Sequence, residues 1–177
     1  MEAEEMTIED IYEKYYKDVY HFAIYFTNNR NEAEDITQDT FIKAMRTIKT
    51  VKDPGKVKVW ILMIAKNTAI DYSRKAGSRT IFPSIWKEER STERTPEEEM
   101  VHKDSWEVVQ RALLKLKPKY RSVIILRGIK EYTIMETAQV LGIPELKVRV
   151  DYHRAMKLLK KEVDFIEVEG VLCNEQS

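Results

Sequence analysis

The chain has 177 residues, of which 43% are hydrophobic and 34% charged, with only 5 Gly and 5 Pro; this is the profile of a soluble helical protein of one large or two small domains, not of a β-sandwich or a disordered chain. The longest strongly apolar run, Trp60 to Ala65, is too short to span a bilayer, the acidic start MEAEEMTIED is no secretory signal, and the one cysteine, Cys173, permits no internal disulfide and fits the cytosol. The net charge of zero hides alternating blocks: residues 1–45 hold 4 bases against 11 acids, 46–79 hold 9 against 2, 80–103 hold 4 against 6, 104–163 hold 13 against 7, and 164–177 hold 0 against 4.

Thr7 is the expected N-cap of a first helix running to about Phe26, with Ile8, Ile11, Tyr15, Val19, Phe22 and Phe26 at helical spacing. Asn28-Asn29-Arg30-Asn31 reads as a turn, with Asn31 capping a second helix that carries Ala33, Ile36, Phe41, Ala44, Met45 and Ile48. Asp53-Pro54-Gly55 breaks the chain, and a third helix follows from about Val57 to Lys75. From Gly77 to about Thr95 the periodicity fails, and GSRTIFPSIWKEERSTERT reads as a linker; its Ile81, Phe82, Ile85 and Trp86 are expected to dock on a domain or a partner. Thr95-Pro96-Glu97-Glu98 combines a capping residue, Pro at N1 and a capping-box Glu, and opens a helix with Val101, Trp106, Val109, Leu113 and Leu116. Lys117-Pro118 interrupts that helix. Another helix reaches about Ile129, and a second capping box, Thr133 with Glu136, opens the next. The tail after Val163, with four acids and no bases, is expected to be disordered.

The stretch from Thr133 to Lys161 holds the sharpest local signal. Ala138, Gly142 and Val148 supply what a helix-turn-helix needs: a small residue at the close contact, a residue tolerant of positive φ at the turn, and an apolar residue facing the core. Leu141 and Ile143 complete the seam, and Pro144 suits the first residues of a helix. The second helix then exposes Glu145, Lys147, Arg149, His153 and Arg154, where a recognition helix would meet the major groove.

The third helix is apolar in its first half and polar in its second. Asn67, Asp71 and Arg74, at i, i+4 and i+7, share one face and offer an amide, a carboxylate and a guanidinium to an unstacked base and its phosphate. The plainer reading is an Asp71–Arg74 ion pair, worth a few tenths of a kcal/mol. Lys49, Lys52, Lys56 and Lys58 surround the preceding break, where a loop tracks a phosphate backbone or is simply solvated. In the second helix Asp35, Gln38 and Asp39 lie on one side with Phe41 and Met45 nearby, a solvated face or a docking surface for a basic partner. No His or Cys joins the two aspartates, which argues against a metal site there. No phosphate loop, no nucleophile with a base and no metal cluster is found, so no enzyme and no cofactor are expected.

In this order, the pieces resemble the sigma-70 superfamily of bacterial transcription initiation factors, and within it the extracytoplasmic-function group, which keeps two of the family's domains. AEDITQDTF is similar to the family's core-binding motif, VWILMIAKNTAIDYSRK to its W-L-x-x-I-A-x-N-x-x-x-D-x-x-R-K segment, and the stretch LLKLKPKYRSVIILRG to YHRA, with its E-x-A-x-x-L-G-I core, to its helix-turn-helix region. The resemblance implies an all-α fold of two helical domains: residues 1–76, a linker at 77–95, a helix-turn-helix domain at 96–163 and an acidic tail at 164–177. It implies that Asp35, Gln38, Asp39, Phe41 and Met45 bind core RNA polymerase. It assigns Lys52, Lys56, Lys58, Trp60, Lys66, Asn67, Asp71, Arg74 and Lys75 to the melted minus-ten element. It assigns Arg121, Arg127, Thr133, Lys147, Arg149, Val150, His153 and Arg154 to the duplex minus-thirty-five element. An anti-sigma factor, holding the protein at the membrane without any insertion of this chain, is implied as a further partner.

The chain departs from the family's pattern at Val57, Pro144, Leu146, Lys147, Val150, Asp151 and Met156, and Asp151 would repel phosphate if it faced DNA. The competing class is a stand-alone helix-turn-helix regulator that binds closed duplex as a dimer across two half-sites.

Overall fold

Thr7 opens the first helix through a reciprocal pair of bonds: its backbone N–H donates to Asp10 Oδ2 at 2.9 Å, and the Asp10 N–H donates to Thr7 Oγ1 at 3.2 Å. The computed structural model describes residues 6–76 and 96–174, with side chains from 6 to 75 and from 105 to 167. Residues 77–95, with Ile81, Phe82, Ile85, Trp86 and the expected cap Thr95, lie outside the described residues.

Helix α1 spans Ile8–Thr27 and ends on Asn28, whose φ of 51° is left-handed and whose N–H donates to the Ile24 carbonyl. Asn tolerates that conformation better than most residues with a Cβ. The reversal at Asn28 leaves Asn29 extended, and its side chain accepts from the Glu32 N–H. Asn29, not Asn31, therefore caps α2, Arg30–Thr47, because the chain has already turned one residue earlier than the sequence suggests. Asp53 Oδ1 accepts from the Gly55 N–H at 2.9 Å and sets a single 3-10 turn over Pro54–Lys56. Helix α3, Val57–Ala76, follows directly. Phe22, Phe26, Ile36, Ala44, Ile61, Leu62 and Ala65 are buried where the three helices meet.

The second half is α4 (Pro96–Lys115), α5 (Pro118–Ile124), a π-helical turn (Ile125–Ile129), α6 (Ile134–Leu141) and α7 (Glu145–Asn174). Among the described residues there is no strand. The expected disordered tail is helical as far as Asn174. The reason is legible in the burial: Ala155, Leu159 and Ile166 are buried and Val163 packs against their cluster, so the apolar stripe of α7 carries on past the basic segment.

The two halves share apolar surface. Ile125, Leu126, Tyr132 and Val140 are buried in the same cluster as α1–α3, and Tyr25 meets Trp106 edge-on at 5.8 Å. Lys130 Nζ pairs with Asp18 Oδ1 at 3.0 Å, and Lys58 Nζ stands 4.3 Å from the centre of the Tyr132 ring. Arg121 binds deepest. It is 8% exposed, and its guanidinium donates to the carbonyls of Leu113, Leu114, Leu116 and Phe26 at 2.9 to 3.1 Å. Burial pulls its pKa down to about 10, which leaves it cationic at neutral pH.

Removing this guanidinium takes a donor from four buried carbonyls, of which that of Leu113 keeps the Leu116 N–H at 3.1 Å. Arg121→Ala is expected to cost about 3 kcal/mol of stability, and Arg121→Lys to recover only part of it, because one ammonium cannot reach four acceptors. Thermal unfolding followed by circular dichroism measures both.

Candidate functional site

The helix-turn-helix is built by local chemistry. The Thr133 N–H donates to Glu136 Oε2 at 2.8 Å and the Glu136 N–H donates to Thr133 Oγ1 at 3.1 Å. The bonds from the Thr133 backbone and hydroxyl hold the Glu136 carboxyl below the usual carboxylate range. At the other end of α6, Gly142 takes a φ of +66° and donates to the Ala138 carbonyl. Ala138 and Val148 are buried, and Leu141 and Ile143 pack against them, as the spacing predicts.

On α7 Lys147, Arg149, Val150, His153 and Arg154 are exposed. Lys147, Val150 and Arg154 fall at i, i+3 and i+7, with Arg149 and His153 at i, i+4 beside them, so the five make one outward surface. Asp151 does not join them: it is 4% exposed and turned inward, with Oδ2 at 3.1 Å from Lys147 Nζ.

Three residues expected on this surface are otherwise occupied. Arg121 is the buried guanidinium described above. Arg127 donates to the Tyr132 carbonyl, and its guanidinium lies 5.7 Å from the centre of the Tyr152 ring. The Thr133 hydroxyl is held in the α6 capping box. Cationic type and position in the chain single out these arginines, but a buried partner cannot be seen from either.

The face of α3 is split. Lys52 and Lys56 are exposed around the 3-10 turn, and Asn67, Asp71, Arg74 and Lys75 are exposed along the C-terminal half of α3. Asp71 and Arg74 sit 3.9 Å apart with both side chains open to solvent, which is a weak pair. Lys58 instead reaches the second half, over Tyr132, and Trp60 packs against the shared core. Lys66 is half-buried, and burial lowers its pKa.

Asp35, Gln38, Phe41 and Met45 do come together. They line one groove of about 520 Å³ between α1 and α2, with Ile8, Tyr12, Tyr16 and Glu34 on the opposite wall and rim. Asp39 is exposed on the same helix but outside the groove lining. Met45 and Tyr12 are 56% and 47% exposed, and Tyr12 meets Phe41 edge-on at 4.8 Å. The Asp35 carboxylate accepts from the Tyr72 hydroxyl of α3 at 2.9 Å. Burial first, then that bond to Asp35, raises the Tyr72 pKa. The α1 wall was missed by sequence reasoning. Its signal is the spacing of Tyr12, Tyr16 and Tyr20 at four-residue steps, out of phase with the core stripe of the same helix. Among the described residues no three His, Cys, Asp or Glu side chains converge to hold a metal ion.

Two family models match the chain: Sigma-70 region 2 over residues 11–79 and Sigma-70, region 4 over residues 106–159. The chain is 32% identical over 170 residues to the ECF RNA polymerase sigma factor SigX of Bacillus subtilis (strain 168), covering 93% of this chain and 88% of SigX. It is 31% identical over 160 residues to SigM of the same organism, covering 88% and 94%. Among solved structures it is similar to the sigma factor RpoE of Bartonella quintana in complex with the anti-sigma factor NepR, with a TM-score of 0.69, 20% identity and coverage of 88% and 96%. It is also similar to CnrH in complex with the cytosolic domain of CnrY, with a TM-score of 0.62, 22% identity and coverage of 89% and 87%. These two likenesses establish the fold.

A Cβ built on Gly142 meets nothing within 4 Å, so only the backbone opposes a side chain there. Gly142→Ala is expected to cost about 1 kcal/mol through its left-handed φ, read as a lowered thermal midpoint with an unchanged helical spectrum.

Proposed function

The chain belongs to the extracytoplasmic-function sigma factors of the sigma-70 family, and from that premise we propose how its surfaces share the work of initiation. It is an RNA polymerase initiation factor and performs no catalysis of its own. The groove bearing Asp35, Gln38, Phe41 and Met45, with Asp39 beside it, binds core RNA polymerase through a basic, amphipathic element of the largest subunit. Its apolar walls offer buried area, and its acidic rim offers steering toward a cationic partner.

The outward surface of α7 enters the major groove of the minus-thirty-five element. There Arg149 and Arg154 are placed to meet base edges or phosphates, and Val150 to make apolar contacts. Lys52, Lys56, Asn67, Asp71, Arg74 and Lys75 hold the melted minus-ten strand; Lys58 and Trp60 join them once freed from Tyr132 and the shared core. The observation that carries this reading is the exposed cationic row on α7, directly after a helix-turn-helix bend, on a chain whose acidic groove lies in the other domain.

The domain limits proposed are 1–76 and 96–163, with α7 extending the second. NepR is an anti-sigma factor bound to RpoE, and a protein of that class is proposed as the regulator of this chain, which works in the cytoplasm. No helix among the described residues is long and apolar enough to cross a membrane, so any tether to the membrane belongs to that partner.

Transcription of a fragmented genomic library by bacterial core RNA polymerase, with and without this protein, tests the assignment. New 5′ ends that share two upstream elements are expected. Stable dimers that bind closed duplex unaided, with no new start sites, would overturn it. Arg149→Ala should lower transcription from those promoters by about tenfold or more with core affinity unchanged. Asp35→Ala combined with Asp39→Ala should do the reverse, weakening core binding measured by fluorescence anisotropy and sparing duplex contacts.

A further inference from the structure

Asp151 is an odd residue for its place. It stands on the recognition helix, one step from the exposed Val150, yet it is 4% exposed. One carboxylate oxygen holds Lys147 Nζ at 3.1 Å, and the other is buried with no hydrogen bond from any described residue. A buried carboxylate with a single partner is costly. The partner is also poorly placed for stability. Lys147 is the third residue of α7, in the first turn, where the amide ends of a helix disfavour a cation. A base four residues before an acid is the weaker order for such a pair. Three locally unfavourable choices meet at one contact, and none is explained by the stability of the helix.

What the contact achieves is geometric. A lysine on a surface helix is a mobile point charge on a four-carbon stem, suited to phosphates. Here the ammonium is moored to a buried group while the Lys147 side chain remains 50% exposed. With one of its three donors engaged, the remaining N–H groups point from a fixed origin. Fixed donors suit the paired acceptors on the major-groove edge of guanine.

We infer that Asp151 is a positioning residue that makes Lys147 a base-reading contact in the upstream element rather than a phosphate contact. The inference rests on the reading of α7 as the helix that enters the major groove.

The test uses the full-length chain with core RNA polymerase on a promoter library randomised across the upstream element, scoring transcript yield per sequence. Lys147→Ala, Asp151→Asn and Asp151→Ala should all lose preference at the same base pair, by about tenfold. The double variant Lys147→Ala with Asp151→Asn should lose no more than the Lys147 variant alone. Asp151→Ala should also melt no lower than the unaltered protein, since it removes a poorly satisfied buried acceptor, which separates positioning from a folding defect.

A uniform loss at every sequence in the Asp151 variants, or a loss of preference at a different base pair, would overturn the inference. So would unchanged preference in Lys147→Ala. Arg149→Ala then tells the two failures apart. If it shifts preference while the other variants do not, only the role of Asp151 falls. If it too is silent, the placement of α7 in the major groove falls with it.

Discussion

Among the described residues, one buried cation joins the two halves of this chain beneath their shared apolar surface. Arg121 donates to Leu113, Leu114 and Leu116 at the end of α4 and to Phe26 at the end of α1, and its guanidinium lies 4.8 Å from the centre of the Phe26 ring. Carbonyls in the last turn of a helix lack intrahelical partners and carry the negative end of the helix dipole. At the break after α4 the Leu116 N–H serves the Leu113 carbonyl at 3.1 Å, and Arg121 reaches that carbonyl and three others. One arginine from α5 caps both helices at once, and in doing so ties the second domain to the first. The forked geometry of guanidinium makes this possible.

Much of the surface layout follows from that docking. With α5 held against the end of α1, the π-helical turn carries Ile125 and Leu126 into the core of the first domain and brings Tyr132 over Lys58. The helix-turn-helix is then left with its outer helix facing solvent. The acidic groove between α1 and α2 belongs to the other domain, where Lys43 of α2 donates to Thr68 of α3 and Tyr72 of α3 donates to Asp35 of α2. Surfaces of opposite charge are thus kept apart on one molecule, and the formal neutrality of the chain is the sum of oppositely charged blocks.

The starts at Thr7 and Thr133 were legible because capping is local, whereas the α2 cap stands at Asn29 and not at Asn31. The Thr7 cap, the Thr133 box, the left-handed Gly142 and the break at Pro118 all depend on residues within a turn of one another, and each stands where the spacing puts it. The seam of Ala138 and Val148 was legible for the same reason. What escaped sequence reasoning depends on distant partners. Arg121 and Asp151 carry charges that sequence alone assigns to the surface, and both are buried by groups that only the fold brings near. Tyr12 and Tyr16 form the wall of a groove whose other wall lies more than a helix away in sequence. The end of α7 was misjudged because acidic composition outweighed a sparse apolar stripe that continues to Ile166.

The pairing of Lys147 with Asp151 also bears on how this protein would respond to its ionic surroundings. Each phosphate neutralised by a free cation releases counterions and adds about 0.9 to the slope of log affinity against log salt. A lysine already neutralised within its own helix releases few counterions when it turns to a base edge. In the proposed base-reading role, its contribution to choosing one sequence over another is therefore nearly independent of salt, while the grip of unpaired cations on phosphate weakens as ions are added. Crowding the solution with potassium would loosen the protein from all DNA and leave its ranking of promoters largely intact.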